Sequence, residues 1–268
     1  YNPIAVGDKV RIELINDDSG VIEELLPRKN AISRPTRIGT IKEKIIAANV
    51  DRLVAIVSAK EPRLKTGLID RMLLVAERQD LKCTICINKT DLLGEGENLE
   101  EVECYKNLRY NIIQTSTVTG DGIEDLKKKL IGAFSVFIGQ SGVGKSSILN
   151  SLQPGLDLKV QKVSGHNEKG KHTTSYVSAV FYDFGAVIAD TPGFRNFGLW
   201  GLTKEDIAEL YREFRKYSGT CRFNPCFHIH EPVCGVKDAF ESGKIAKSRY
   251  ENYVRIFDSF DEIDMQQY

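Results

Sequence analysis

The chain has 268 residues, 41% of them hydrophobic, and its 37 basic residues are balanced by 37 acidic residues. This composition is ordinary for a globular protein of one to three domains, and a net charge of zero does not indicate a nucleic-acid partner. No apolar run approaches the ~20 residues of a membrane helix, and the start lacks the basic and apolar regions of a signal peptide. With no secretory signal, the six cysteines predict a reducing compartment, where metal binding is favoured over disulfides.

Residues 1–44 predict an all-β domain. Two strand-like runs, VGDKVRIEL and SGVIEELL, flank a turn at residues 17–20. The segment that follows, residues 27–42, carries five basic and no acidic residues: Arg28, Lys29, Arg34, Arg37 and Lys42. It is either a solvated loop or a contact for RNA phosphates. The whole region is too short for a complete β-barrel.

Strands and helices alternate from residue 45 onward. Strands are predicted at residues 50–59, 82–88, 110–116, 133–139 and 186–190, with helices at 66–80 and 122–132. This alternation predicts a mostly parallel sheet covered on both faces, in a domain of residues 45–201. A third domain, residues 202–268, is predicted to be helical around a Cys/His cluster.

Residues 139–146, GQSGVGKS, fit the phosphate-loop pattern. Gly139 and Gly144 let the backbone curl, so that its N–H groups point at phosphate oxygens at a helix N-terminus. Lys145 supplies positive charge to the β- and γ-phosphates, and the Ser146 hydroxyl is suited to ligate Mg²⁺. Because the pattern lies between a strand and an apolar helix start, it predicts a nucleotide site.

A second element, DTPG at residues 190–193, ends a strand about fifty residues later. There Asp190 can reach the Mg²⁺ shell, and the Gly193 N–H can sense a γ-phosphate. Alone the motif is weak, because Asp-x-x-Gly is common in turns. Between the two elements, the polar run GHNEKGKHTTS predicts a mobile loop in which Thr173 or Thr174 closes onto Mg²⁺.

A third element predicts which base is bound. The motif NKTD comprises Asn88, Lys89, Thr90 and Asp91. The Asp91 carboxylate can accept the two N–H donors on the edge of guanine, a pair that adenine lacks. By itself the motif could be a surface loop, but beside the other two elements it predicts GTP and GDP as ligands. Ser116, in the run QTSTVTGDG, occupies the place of the second base-contact loop, although Thr117 stands where alanine is commoner.

The order of these elements is unusual. The base motif precedes the phosphate loop by about fifty residues, the reverse of the order in ordinary small GTPases. The strands still form one sheet if the usual termini are joined and the chain is opened elsewhere. The sequence therefore predicts an α/β fold, a circularly permuted P-loop GTPase domain. The chain then leads from DTPG directly into the C-terminal segment.

The cysteine cluster CRFNPCFHIHEPVC predicts a metal site. Its spacing offers Cys221, Cys226, His228 and Cys234 as a Cys₃His set, which suits one structural Zn²⁺ per chain. His230 is a competing ligand that the spacing leaves open. By contrast, Cys83 and Cys86 lie three apart in a strand and face opposite sides, so they cannot share a metal ion. Both, together with Cys104, are interpreted as small hydrophobic residues.

Together, the basic β-rich start, the permuted GTPase centre, GKHTT and the Cys₃His cluster resemble the small-subunit-dependent ribosomal GTPases of bacteria, the RsgA/YjeQ family. The resemblance implies an N-terminal OB-fold barrel, here incomplete, a permuted GTPase domain and a helical zinc-binding domain. It implies a cytoplasmic GTPase, expected to be monomeric and without a membrane contact, that binds the small ribosomal subunit and its rRNA. Hydrolysis would be stimulated by the subunit during late 30S maturation and would drive release.

The resemblance also extends the set of site residues. It carries nucleotide binding over to the whole loop, which adds Gln140, Ser141, Gly142, Val143 and Ser147. Phe194 follows the DxxG glycine, where many GTPases have a water-orienting glutamine, and it can orient no water. His172 matches a histidine implicated in the family and is the catalytic candidate; the alternative is an exposed loop histidine without a role. An RNA-binding assembly factor that uses GTP mainly as a conformational ligand is the alternative function.

Overall fold

The computed structural model describes residues 4–17, 19–36, 42–155, 178–190, 199 and 201–265. Two antiparallel strand pairs come first: β1 (Val10–Asn16) with β2 (Ser19–Leu25), and β3 (Ala31–Thr36) with β4 (Lys42–Ala48). The predicted all-β character is confirmed, but β4 crosses the predicted boundary at residue 44. Within the described ranges, these strands form two separate two-stranded sheets rather than a closed barrel.

The two strand pairs differ in how they are covered. The β1–β2 hairpin has several apolar residues on its surface. The exposed fraction of each lies between 45% and 70% for Ile12, Leu14, Val21 and Ile22. The β3–β4 pair is tied to the following domain, because the Asn30 side chain accepts from the Val50 N–H at 2.8 Å and donates to the Val50 carbonyl at 2.9 Å. The second pair is therefore part of the main body of the protein.

Arg28 is paired with an acidic side chain and largely buried, which neither interpretation of the basic segment predicted. Its Nε lies 2.6 Å from Asp8 Oδ1 and its Nη2 lies 2.7 Å from Asp8 Oδ2. The two side chains are only 11% and 1% exposed. Hydrogen bonding to Arg28 lowers the pKa of Asp8, so the pair stays ionised and links the start of the chain to the turn after β2.

A six-stranded sheet forms the centre of the molecule. Its strands are β5 (Arg52–Ser58), β6 (Lys82–Asn88), β7 (Asn111–Gln114), β8 (Phe134–Gly139), β9 (Ser178–Phe181) and β10 (Val187–Asp190). Their order is β7-β6-β5-β8-β10-β9, and every neighbouring pair is parallel except β9 with β10. The five predicted strands are confirmed, whereas β9 was not predicted. The phosphate-loop strand β8 and the base-motif strand β6 lie on either side of β5.

Helices cover both faces of this sheet. They are α1 (Thr66–Arg78), α2 (Glu103–Asn107), α3 (Ile123–Leu130) and α4 (Lys145–Leu152). Alternate residues of β5 enter different cores: Leu53 and Ala55 pack on the side of α1, while Val54 and Ile56 pack on the side of α3 and α4. Every position of β5 after the first is buried, which explains why this strand reads as a continuous apolar run.

The C-terminal segment is helical, as predicted, with α5 (Lys204–Leu210), α6 (Gly235–Glu241) and α7 (Lys247–Met265). Thr203 and Asp206 form a capping box at the start of α5. This segment has a core of its own, rich in aromatic side chains, to which Leu74 of α1 also belongs. In the part of the chain that is described, no helix is both long and apolar enough to cross a membrane.

Candidate nucleotide site and metal centre

The phosphate loop connects the end of β8 to the start of α4. Gly142 and Gly144 have φ angles of +84° and +93°, which residues with a side chain rarely adopt. A β-carbon at Gly144 would lie 2.3 Å from the amide nitrogen of Asn88, and one at Gly139 would lie 2.3 Å from the Ile56 carbonyl oxygen. Glycine is therefore required here for conformation and for space. The strand–loop–helix context predicted for this motif is confirmed.

Lys145 and Asp190 lie close enough to influence each other's charge. The Lys145 ammonium donates to the carbonyl oxygens of Gly139 at 2.7 Å and Gln140 at 2.9 Å. Burial lowers the pKa of Lys145, and the negative charge of Asp190 opposes that shift. Asp190 ends β10, which runs parallel to β8, so both groups lie at the carboxyl edge of the sheet. An anionic phosphate at this edge would meet one positive charge and the N-terminus of α4.

Asn88 joins the base motif to the phosphate loop. It is the last residue of β6 and is completely buried. Its side-chain amide donates to the Val143 carbonyl at 2.9 Å, and its Oδ1 accepts from the Thr115 hydroxyl at 3.1 Å. Two motifs separated by 55 residues in the chain are thus held in one site.

Ser116 orients the carboxylate predicted to bind guanine. The Ser116 hydroxyl donates to Asp91 Oδ1 at 2.6 Å, and its oxygen accepts the N–H groups of Val118 and Thr119 at 3.2 and 3.1 Å. Ser116 is fully buried, whereas Asp91 is exposed and reachable by a ligand. The structure therefore brings together the two loops that the sequence predicted to read the base.

Two further contacts support the base motif and were not singled out from the sequence. Thr90 and Thr115 are linked, because the Thr90 hydroxyl donates to the Thr115 carbonyl at 3.1 Å. Lys89, in a left-handed conformation with φ +63°, donates through Nζ to the Glu61 carbonyl. The sequence signal for Thr115 is its place between an apolar strand and Ser116. For Glu61 there was no signal.

The predicted metal ligands come together. Sulfur and nitrogen donor atoms of Cys221, Cys226, His228 and Cys234 all lie within 4.8 Å of one another. His228 Nδ1 is 3.2 Å from Cys234 Sγ and 3.6 Å from Cys221 Sγ. His228 is buried and His230 is exposed outside the group, so the alternative left open by the spacing is decided in favour of His228.

The backbone around these donors is held by side chains of the same segment. The Glu231 carboxylate accepts the N–H groups of Phe227 and Ile229 at 2.6 and 2.9 Å. The Tyr250 hydroxyl donates to the His228 carbonyl at 2.6 Å. Burial raises the pKa of Cys226 to about 12, so a bound cation is needed to hold such sulfurs as thiolates. The donor set is the one that structural zinc prefers.

Cys83 and Cys86 do not form a second metal site. They pack in different cores, on opposite faces of the central sheet. Burial raises the pKa of both thiols to about 12. The prediction that they act as small hydrophobic residues is confirmed.

Comparisons with known proteins assign the family. A sequence model of the RsgA GTPase family matches residues 25–200, more than half of the chain. RsgA of Thermotoga neapolitana, named a small ribosomal subunit biogenesis GTPase, is 42% identical over 256 residues, covering 95% of this chain and 83% of that protein. The chain belongs to the RsgA GTPase family.

Solved structures agree with this assignment. The crystal structure of YjeQ from Thermotoga maritima superposes with a TM-score of 0.77 at 38% identity, covering 96% of this chain and 84% of the other. YloQ, described as a circularly permuted GTPase, gives a TM-score of 0.74 at 32% identity, covering 96% and 80%. This RsgA-family protein is therefore a GTPase with a circularly permuted fold, as its motif order predicted.

Several predicted site residues of this RsgA-family GTPase lie outside the described ranges. They are His172, Thr173, Thr174, Gly193 and Phe194. Their roles in closing the site and in hydrolysis therefore stay predictions. The remaining residues predicted to bind nucleotide lie at the carboxyl ends of β6, β8 and β10, in the loop after β7, or in the first turn of α4.

Proposed function

We propose that this protein is a GTPase of small ribosomal subunit biogenesis, whose hydrolysis of GTP is stimulated by the subunit and drives its release during late 30S maturation. The family assignment and the names of relatives at about 40% identity support this proposal. The observation that carries it is the buried Asn88–Val143 hydrogen bond, which joins the base and phosphate motifs into one site.

The nucleotide would bind along the carboxyl edge of the sheet. Asp91, oriented by Ser116, would accept the guanine N–H donors, and an adenine would leave this carboxylate unpaired. Lys145 would exchange its two carbonyl partners for the β- and γ-phosphates. The remaining loop residues would supply backbone N–H groups to phosphate oxygens.

Magnesium would be held by Ser146, Asp190 and either Thr173 or Thr174, where it would neutralise charge between the phosphates. In the same proposal, Gly193 senses the γ-phosphate. Phe194 offers no group that can orient water, so His172 is assigned to that task. The attack on the γ-phosphate would then depend on His172 entering the site when the subunit is bound.

The flanking regions would contact the ribosome. Residues 1–44 would belong to an OB-fold that holds rRNA by charge, although Arg28 is already paired with Asp8. Residues 202–268 would form the zinc domain, with one structural Zn²⁺ in the Cys₃His cluster. The protein would act as a cytoplasmic monomer, and residues 45–201 would form its GTPase domain.

The decisive experiment measures GTP turnover of the purified protein with small subunits, with large subunits and without either. The proposal requires turnover to rise with small subunits and to stay at the basal level in the other two reactions. Tight nucleotide-dependent binding to small subunits without any rise in turnover would instead favour an RNA-binding assembly factor that uses GTP as a conformational ligand.

A further inference from the structure

A buried charge cluster joins the GTPase core to the C-terminal segment. Asp70 of α1, Glu213 and Arg249 of α7 have side chains that are 0%, 7% and 3% exposed. Arg249 donates to both carboxylate oxygens of Glu213, at 2.6 and 3.0 Å, and through Nη1 to Asp70. Charged groups are buried in this way only when each one has a partner.

Asn252, one turn further along α7, contacts the very start of α1. Its amide nitrogen donates to Asp70 Oδ2 at 2.8 Å and to the Thr66 hydroxyl at 3.0 Å. The helices approach closely at this point, because a β-carbon at Gly67 would lie 3.3 Å from Asn252 Oδ1. The first turn of α1 therefore has its position set by α7 as well as by the sheet.

The seven residues before α1, here called the 59–65 segment, contact the base motif and run beside the phosphate loop. Its first N–H, that of Ala59, donates to the Asn88 carbonyl at 2.8 Å, and the Glu61 carbonyl accepts from Lys89 Nζ. On the side of the phosphate loop, the Pro62 ring is 3.9 Å from where a β-carbon of Gly142 would be.

The same segment is held to the loop after the base motif. The Lys60 ammonium lies 2.6 Å from the Glu97 carboxylate, which also accepts the Gly94 N–H at 2.8 Å. The first three residues of the 59–65 segment are thus attached to the base motif and the loop after it, and the segment leads into Thr66, which contacts α7. Only four residues separate Glu61 from Thr66 in the chain, so a displacement of Thr66 can be transmitted to Glu61 through a short stretch of backbone.

We propose that Asn252 is a positioning residue for the nucleotide site. It acts by holding Thr66 and Asp70, and through them the 59–65 segment, in the conformation that supports Lys89 and the base motif. By reciprocity, a bound nucleotide strengthens the contact between α1 and α7. This route runs from α7 through the start of α1 and the 59–65 segment. The inference rests on the proposed role of the phosphate and base loops as the nucleotide site.

The first test compares nucleotide affinities of variants at the contact, using fluorescent GDP and a fluorescent non-hydrolysable GTP analogue. Thr66→Val removes the hydroxyl while keeping the shape of the side chain, and Thr66→Ser keeps the hydroxyl. Losing one hydrogen bond that holds the competent conformation should raise Kd about three- to tenfold for Thr66→Val and for Asn252→Ala. Thr66→Ser and Arg255→Met, an exposed position on α7, should retain the affinity of the unaltered protein.

The double variant, Thr66→Val with Asn252→Ala, shows whether the two residues affect nucleotide affinity through one shared hydrogen bond or independently of each other. If both residues act through their mutual hydrogen bond, the combined rise in Kd should be smaller than the product of the two single effects. A rise equal to that product would show that the residues act separately and would overturn the route from Asn252 through Thr66.

Hydrogen exchange provides a readout that a purely structural role would not change. In the unaltered protein, GDP should slow amide exchange at the phosphate loop, in the 59–65 segment and in α7 around Asn252. In Asn252→Ala the effect at the phosphate loop should remain and the effect in α7 should be lost. A merely structural residue would speed exchange in α7 by the same factor with and without GDP.

The outcomes distinguish this inference from the proposed function. If the unaltered protein binds no guanine nucleotide, the site assignment itself fails. If it binds, but Thr66→Val and Asn252→Ala bind equally well and keep the exchange effect in α7, the positioning role of Asn252 is overturned while the nucleotide site stands. Should Asn252→Ala not fold, the comparison of Thr66→Val with Thr66→Ser decides.

Discussion

Replacing Arg249 by methionine should destabilise the protein strongly, because it removes the cation that pairs two buried carboxylates. Asp70 and Glu213 would stay behind at 0% and 7% exposure. The variant would also lose the stacking of the guanidinium on the Tyr211 ring, 4.3 Å away. Methionine has a similar length and fills the space, so the effect reports on charge rather than on a cavity.

Removing one partner of a buried ion pair typically costs about 3–5 kcal/mol, because the remaining charge is left uncompensated. A whole domain is stable by only about 5–15 kcal/mol. With a denaturant slope of about 1–3 kcal/mol per molar urea, the unfolding midpoint should fall by roughly 1–5 M. Arg255→Met is the matched control: its ion pair is exposed, and its loss should cost about 0–1 kcal/mol.

Urea unfolding can be followed through the single tryptophan, Trp200, which is adjacent in sequence to Leu199 of the C-terminal core. The effect should also depend on pH. Burial raises the pKa of Asp70, and the charge of Arg249 opposes this rise. Without Arg249 the pKa in the folded state rises further above its unfolded value. Lowering the pH then favours the folded variant, so its deficit should shrink between pH 8 and pH 5.

A midpoint for Arg249→Met within about 0.3 M of Arg255→Met would refute this reasoning, because the buried carboxylates would then need no cation. A deficit that grows as the pH falls would refute the assignment of the loss to an uncompensated Asp70. The replacement of Asp70 by asparagine together with Arg249→Met should recover part of the lost stability, since one of the stranded charges is removed.

The other predictions concern the site and the switch. Asp91→Asn should weaken GTP binding and raise relative affinity for xanthine nucleotide, measured by competition titration; unchanged GTP affinity would remove Asp91 from the site. Cys221→Ala should lower zinc content from about one per chain by elemental analysis, whereas Cys83→Ala should not. His172→Ala should leave GTP affinity nearly intact and reduce subunit-stimulated turnover by ~10²–10⁴-fold; normal stimulated turnover would exclude a catalytic role. Cosedimentation should show tighter small-subunit binding with a non-hydrolysable GTP analogue than with GDP. The ratio of the two affinities should be similar at two salt concentrations. Equal binding in the two nucleotide states would mean that the nucleotide does not change the subunit-binding surface.

The sequence by itself determined the features that depend on neighbours along the chain. A strand buried on both faces requires apolar residues at successive positions. For this reason β5 and its flanking elements could be predicted from the sequence alone. The phosphate loop could be predicted because local backbone geometry requires its glycines: Gly142 and Gly144 have positive φ angles. The opposite facing of Cys83 and Cys86 followed from the period of a strand.

Only the tertiary structure decided where charged and polar side chains find partners. The spacing in the cysteine cluster offered His228 and left His230 as a competing ligand, and the burial of His228 beside Cys234 decides between them. Arg28 was interpreted only as one member of a basic segment. Its partner, Asp8, lies 20 residues away in the chain, so nothing in the sequence indicated the ion pair.

Asp70 is a stronger example of a partner that the sequence could not predict. In the sequence it is one acid in an amphipathic helix, and Arg249, its partner, is 179 residues further along the chain. Local patterns reveal which face of a helix is apolar, because burial of apolar surface needs no particular partner. A buried charge is tolerated only beside a specific opposite charge, and that pairing exists only once distant parts of the chain have packed.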